Sequence, residues 1–309
     1  RAQLRMFQQE GQDSVNTLRR LALLLIALLP LAVATACGSS PDSDSGAAGS
    51  PQRIISLSPS ATETLWAIGA GEQVIAVDGQ SNFPPEVPTQ DDLSGYTPNV
   101  EAIIGYEPDL VITADAPDEL VSGLEAAGIE LLSQPAPSTL DEAYAQIEQI
   151  GAATGRIGDA AELVAQMRER IADVVDNTPA TDLTYYHELD PTLFSAAGSS
   201  FIGEVYGLFG LRNIADEVGD GVAADAYPQL SEEFIVTANP DLIFLADVQC
   251  CGVTAASVAN RAGWAEVAAV REGRIYELDA DIASRWGPRV VDMVEQIGSV
   301  LTEVEAVPA

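Results

Sequence analysis

Carboxylates recur at matching places in two stretches of the chain. NVEAIIGYEPDLVITAD (residues 99–115) and SEEFIVTANPDLIFLAD (residues 231–247) pair without a gap, sharing a Glu, an Ile, a Pro-Asp-Leu turn and a final Ala-Asp. Each copy opens on a helical segment that carries its Glu, Glu101 or Glu233, ahead of an apolar face formed by Ile103 and Ile104 or by Ile235 and Val236. After the turn comes a short buried-type strand, LVIT or LIFL, that stops at Asp115 or Asp247. A helix feeding a strand with an acidic, small-residue tip is the unit of wound α/β sheets, which bind ligands beyond the carboxyl ends of their strands. Two such units predict two similar lobes with a ligand held between them.

Other reactive side chains are few. His187 is the single histidine, so capture of a bare metal ion by several imidazoles is excluded. Neither GxGxxG nor GxxxxGK[ST] occurs, and no GxSxG elbow accompanies His187. Those absences leave a two-lobed enzyme acting on a nucleotide or sugar as the weaker alternative, and no catalytic residue is assigned. Cys250 and Cys251 are adjacent, and two states stay open for them: a vicinal disulfide or a pair of thiols. Arg285 and Arg289 are candidates for anion or ligand-oxygen binding, with a salt bridge as the competing reading.

The elements that must position these groups alternate. RIISL (53–57) reads as a strand, and Ser58-Pro59, with Ser60 and Glu63 three residues later, opens a helix through Ala67 that Gly69 and Gly71 close. QVIAVDG (73–79) is the next strand, followed by the stiff loop Asn82-Phe83-Pro84-Pro85. Thr97-Pro98 is expected to cap the first repeat helix; DELVSGLEAAG (118–128) and IELLSQ (129–134) complete a lobe over residues 53–138. Residues 139–178 form a helical connection. Ser138 is expected to cap its first helix, and a second, from about 159 to 177, spans about 28 Å at ~1.5 Å per residue, enough for a rod between lobes. Residues 179–309 form the second lobe, with LTYYHEL (183–189), LFSAAG (193–198), a helix near 200–209, the second repeat copy, RIYELD (274–279) and a closing helix near 288–304. Trp66 and Trp264 read as core. The fold class is therefore α/β with mainly parallel sheets.

The start of the chain has a different character. Arg19-Arg20, an apolar run from Leu21 to Val33 and the small residues Ala34-Thr35-Ala36 have the layout of an export signal over residues 1–36. Met6 and Val15 both qualify as translation starts. Cys37 follows directly, and residues 37–52 are a Gly/Ser/Pro/Asp tether. The Ala34-to-Cys37 junction resembles a bacterial lipobox, with Ala34 where that motif has Leu; this implies lipidation of Cys37 and a domain anchored to the outer face of the cell membrane without spanning it. With 47 acidic and 14 basic residues, all of the latter Arg, the net charge of −33 argues against a nucleic-acid partner and against general affinity for anionic lipid.

RIISLSPSATETLWAIGAG, SNFPPEV, GYTPNVEAIIGYEPDLVIT, GLRNIAD and YPQLSEEFIVTANPDLIFLAD, in this order over residues 53–304, resemble the substrate-binding proteins of bacterial ABC importers for cobalamin and iron–siderophore complexes. The resemblance implies two Rossmann-like lobes joined by one long backbone helix, a shallow cleft, little hinge closure, a monomer, no cofactor, and delivery of a metal–organic complex to an ABC permease and its ATPase. It also implies that Glu101 and Glu233 dock onto permease arginines. The ligand candidates lie in loops after strand ends: Gln80, Ser81, Asn82, Gly95, Tyr96 and Asp115 in the first lobe. In the second they are His187, Glu188, Ser199, Ser200, Phe201, Tyr227, Asp247 through Cys250 and Cys251, Arg285 and Trp286. Tyr227 matches a stacking aromatic of the cobalamin binders, and Tyr96 lies close to another. The tryptophan that those binders carry near Asp115 is missing here.

Overall fold

Five of the eight strands bury nearly every residue, because helices cover both faces of parallel sheets. The computed structural model describes residues 50–218 and 225–306. The expected export signal, Cys37 and nearly all of the tether lie outside the described residues. In the first lobe β1 (Ile54–Leu57), α1 (Pro59–Ala67), β2 (Val74–Val77), α2 (Val100–Gly105), β3 (Leu110–Thr113), α3 (Asp118–Ala127) and β4 (Glu130–Ser133) alternate. Two helices follow, α4 (Leu140–Thr154) and α5 (Ile157–Asn177). The second lobe runs through β5 (Thr184–Glu188), α6 (Phe201–Gly207), β6 (Arg212–Asn213), α7 (Glu232–Ala238) and β7 (Leu242–Leu245). It continues with α8 (Val248–Cys251), α9 (Ala255–Ala259), α10 (Ala268–Arg271), β8 (Ile275–Glu277), α11 (Ala280–Ser284) and α12 (Val290–Ala306).

The two sheets have the same topology. Their strand orders are β2-β1-β3-β4 and β6-β5-β7-β8, parallel throughout. Each lobe therefore uses its first strand centrally, and the repeat copies α2–β3 and α7–β7 occupy equivalent places, as the internal repeat predicts. The LFSAAG segment is not a strand; Phe194 makes only an isolated bridge to Gln229.

Alternation along each strand sorts side chains into layers. In β1 Ile54 points to a central core while Ile55 and Leu57 enter an outer cluster with Ile103, Val111 and Leu124. In β7 Leu242 and Phe244 face the central core, and Ile243 and Leu245 pack outward with Tyr186 and Trp264. The central core is continuous from Ile54, Leu110 and Ile112 through Tyr144, Ile147 and Met167 to Tyr206, Phe244 and Ile297. No apolar gap separates the lobes. α4 touches α1 on one side and α6 on the other, while α12 packs along α5. The rod predicted near 159–177 is α5, starting two residues earlier at Ile157.

Caps agree with expectation at α1 and differ from it in two places. Ser58 caps α1 by accepting from the Ala61 amide, with Pro59 as the first helical residue as expected, which leaves Ser60 and Glu63 inside the helix. Asn99 caps α2 and Thr139 caps α4, one residue or more inside the expected Thr97-Pro98 and Ser138. In each case a short side-chain oxygen next to the first helical turn reaches an amide that has no helical partner.

Phe244 lies at the centre of the second lobe, with Tyr206 at 5.0 Å and Tyr276 at 5.6 Å between ring centroids. Phe244→Ala is expected to lower stability by about 3–5 kcal/mol, measured by urea unfolding followed by circular dichroism.

Candidate functional site

The turns at the carboxyl ends of β1, β2 and β3 converge opposite α11 and enclose a cavity of about 350 Å³. Leu57 to Ser60 form its base, Asp78 and Gln80 come from the turn after β2, Tyr96 from the long loop, and Ala114 with Asp115 from the tip of β3. The second lobe contributes Asp281, Ser284, Arg285 and Trp286. A volume of this size suits a small molecule.

Buried hydroxyls fix the first-lobe wall. Thr62 Oγ1 donates to Ser56 Oγ at 2.8 Å and lies 2.9 Å from Ser81 Oγ, which donates to Asp78 Oδ1 at 2.7 Å. Asp78 Oδ2 accepts from the Gly95 amide at 3.3 Å. Gly95 cannot carry a side chain here, because a Cβ would stand 2.2 Å from the Leu57 carbonyl oxygen. That close approach sets the next residue, Tyr96, on the cavity wall with 86% of its surface exposed.

The lobes are braced across the cavity floor by ions. Arg285 donates through Nη1 to Glu63 Oε1 at 3.0 Å and Asn82 Oδ1 at 2.9 Å, and through Nη2 to the Gln80 carbonyl at 3.1 Å and Asp281 Oδ1 at 2.6 Å. Arg289 Nη2 donates to the same Glu63 oxygen at 2.6 Å, its guanidinium lying 4.2 Å from the centre of the Phe83 ring. Asn82 Nδ2 donates to Asp281 Oδ2 at 2.7 Å and the Trp286 amide donates to Ser60 Oγ at 3.2 Å. Glu63 is 3% exposed and Arg285 9%. Of the two readings open for these arginines, the salt bridge is the one the structure adopts; Arg285 is a brace with all four Nη bonds made inside the protein.

A second buried charge cluster sits at the strand tips of the other lobe. Glu188 takes Arg261 in a two-pronged pair at 2.6 and 2.5 Å, and Arg261 lies 4.8 Å from the Trp264 ring centre. Asp247 is fully buried beside them. Burial first, and repulsion from Glu188 second, push its carboxyl up to about 7.

Of the residues singled out in the sequence, Gln80, Tyr96, Asp115, Arg285 and Trp286 come together on the cavity wall, and Asn82 joins them through Arg285. Others are withdrawn. Ser81 is buried under the wall in the hydroxyl chain. His187 is fully buried, with Nδ1 2.9 Å from Tyr206 Oη, and burial lowers its pKa to about 3, so it is a neutral core side chain. Ser200 caps α6 and Phe201 belongs to the central core. Tyr227 is part-exposed, and Ser199 lines a separate hollow with Tyr185 and Asp216. Cys250 and Cys251 form a vicinal disulfide at the exposed end of α8, away from the cavity wall. The repeat also breaks at its tips: Asp115 faces the cavity while Asp247 is enclosed. Glu63, Asp78, Asp281 and Ser284 were not singled out for the site. The i,i+4 spacing of Asp281 and Arg285 was a readable signal, whereas Glu63 meets its arginine 222 residues away.

Glu101 and Glu233 occupy the same helical position. Asn99 accepts from the amide three residues on, Ala102, and Ser231 from Phe234, so both glutamates stand second in their helices. Because each helix returns antiparallel to its sheet, both first turns lie at the edge where the strands end and the cavity opens. Both glutamates are exposed, and among the described residues neither carboxylate forms an ion pair.

Among the described residues no group of three His, Cys, Asp or Glu could hold a metal ion, and no helix is long and apolar enough to cross a membrane. The family described as periplasmic binding protein matches residues 54–282. A Bacillus subtilis protein named "uncharacterized ABC transporter substrate-binding lipoprotein YvrC" is 31% identical over 80% of this chain and 79% of its own. A cobalamin-binding protein of Halobacterium salinarum is 30% identical over 81% of this chain and 69% of its own. The crystal structure of the periplasmic vitamin B12 binding protein BtuF of Vibrio cholerae superposes with a TM-score of 0.67 at 28% identity, covering 83% of this chain and 98% of that one.

Glu63→Ala would leave two buried guanidinium groups without their shared carboxylate and is expected to cost about 3–5 kcal/mol, read from urea midpoints, with Glu63→Gln costing less. For Asp247 the folded state holds a proton that the unfolded chain, with an ordinary carboxyl, has released, so its contribution falls as pH rises from about 4 to 7. Thermal melts of Asp247→Asn against the parent should show a relative gain in stability at pH 8 that is absent at pH 4.

Proposed function

The chain belongs to the periplasmic binding protein family, and from that membership we propose that it is the extracytoplasmic receptor of an ABC importer, capturing a metal–organic complex between its lobes. The observation that carries the reading is the cavity at the strand tips of the first lobe, closed from the far side by Asp281 to Trp286 of the second. The family is one of binding proteins and not of enzymes, which removes the two-lobed nucleotide or sugar enzyme as an alternative. Relatives named for cobalamin and vitamin B12 binding support a corrinoid as cargo, with a ferric siderophore as the other class of metal complex proposed.

Tyr96 and Trp286 supply aromatic faces for a large flat ligand, and Gln80, Asp115 and Ser284 supply polar contacts around them. Tyr227, part-exposed on the second lobe and outside the cavity lining, is a further aromatic candidate. Residues 1–36 act as an export signal and Cys37 carries a lipid, so that the tether through residue 52 holds a soluble body at the outer face of the membrane; the lipoprotein name of the Bacillus relative supports this. Residues 53–138 and 179–309 are the two lobes, with 139–178 between them. Glu101 and Glu233 dock onto permease arginines, one per lobe; their matched helical positions and unpaired, exposed carboxylates support the assignment. Charge-assisted contacts of this type set orientation and on-rate more than affinity.

Titration of the purified protein with cyanocobalamin and with ferric siderophores is expected to quench its Tyr and Trp fluorescence saturably for at least one of them; no quenching across the whole set would overturn the receptor reading. The double variant Glu101→Ala/Glu233→Ala should keep its ligand Kd within about threefold while cellular uptake of the radiolabelled ligand is lost. Full uptake by that variant would remove the docking role.

A further inference from the structure

We infer that the cavity selects its cargo by charge, taking neutral or cationic metal complexes and rejecting anionic ones, with Asp115 as the discriminating residue. This inference rests on the receptor reading. Three carboxylates, those of Asp78, Asp115 and Asp281, line the cavity, against the single guanidinium of Arg285. Asp78 and Asp281 are bonded to first-lobe amide and hydroxyl groups and to Arg285 respectively, so each keeps a fixed place. Asp115 is held differently: its carbonyl accepts from Thr113 Oγ1 at 2.7 Å, while its exposed carboxylate has no protein donor among the described residues. A backbone pinned beneath an uncommitted carboxylate presents negative charge to whatever enters.

An anionic ligand asks for the opposite. Carboxylate and catecholate oxygens are recognised by guanidinium forks with free N–H groups. Both Nη atoms of Arg285 are spent on Glu63, Asn82, Gln80 and Asp281. The neighbouring Arg289, which donates through Nη2 to Glu63 and lies against the face of Phe83, does not line the cavity, its unpartnered Nε being buried, and Arg261, at the strand tips of the second lobe, is paired with Glu188. Among the described residues no other arginine lines the cavity. The aromatic walls point the same way as the carboxylates. The faces of Tyr96 and Trp286 carry negative quadrupole density, which attracts a cationic group and repels an anionic one. A net charge of −33 on the whole chain adds a long-range bias in the same sense, screened beyond about 8 Å at physiological salt.

The test holds ligand shape constant and varies charge. One series is a ferric linear trihydroxamate with a pendant ammonium, its N-acetyl derivative and its N-succinyl derivative, carrying about +1, 0 and −1. The other is aquo-, cyano- and sulfitocobalamin at pH 6.5, which spans the same charges on a corrin. Fluorescence titration at low salt is expected to give, in whichever series binds, at least tenfold weaker affinity for the anion than for the cation, with the neutral member between. The gap should narrow at 0.5 M NaCl and fall by about threefold or more in Asp115→Asn, an exposed substitution that leaves the fold intact by circular dichroism. Saturable binding with equal affinities, or with the anion tightest, overturns the charge inference and leaves the receptor reading standing. A gap unchanged in Asp115→Asn overturns the role of that residue. No binding by any member of either series overturns the receptor reading and this inference together.

Discussion

One oxygen of one buried carboxylate ties the two lobes together. Glu63 Oε1 accepts from both Arg285 and Arg289, and the first of these arginines also holds Asn82, the Gln80 carbonyl and Asp281. Burying these charges is costly unless they are paired, and here Glu63 Oε1 and both Nη atoms of Arg285 are paired while Glu63 Oε2 and Arg289 Nε are left without a partner among the described residues. The consequence is positional more than energetic. The turn after β2, the start of α1 and the end of α11 have one relative placement in which all of these bonds form together, and that placement defines the cavity.

The apolar core imposes the same restriction by a different force. Residues from both sheets and from α4, α5 and α12 belong to one continuous cluster, so separating the lobes would expose Tyr144, Ile147 and Phe201 as well as break ion pairs. A receptor whose lobes are already joined orders little of itself when ligand arrives, and the ordering cost that weakens many binders is reduced. A cavity placed by rigid elements also fixes the distance between the two helices that carry Glu101 and Glu233. Their first turns lie at the strand-end edge of each sheet, so the two glutamates and the mouth of the cavity are neighbours on one side of the molecule.

Much of this architecture is legible in the sequence, because it is carried by local patterns. The strands of LVIT and LIFL, the Pro-Asp turns and the helix caps specify the α2–β3 and α7–β7 units within a dozen or so residues each. The equal topology of the sheets then follows from repetition of those units. The helix of residues 157–177 is legible for the same reason, since its apolar face has a helical period that needs no distant partner to be read. Cap positions shifted by a residue or two because several Ser, Thr and Asn stand near each helix start, and only backbone geometry decides which one reaches the free amide.

The site was less legible because its logic depends on pairs far apart in the chain. Ser60 and Glu63 have the spacing of a capping box, a local reading that concealed a contact made across the lobes. For Arg285 the sequence leaves two readings open, anion ligand or salt bridge, and only its four acceptors show that both Nη atoms are spent within the protein. The tips of the repeat, Asp115 and Asp247, are equivalent in sequence and in strand order, yet their surroundings differ. Asp247 meets Glu188, whose charge is already held by Arg261, and enclosed there it keeps its proton near neutrality. Asp115 meets no such partner and remains an open carboxylate on the cavity wall. Duplicated units thus supplied the frame, and divergence of what packs against each tip gave one lobe a buried polar core and the other a charged binding surface.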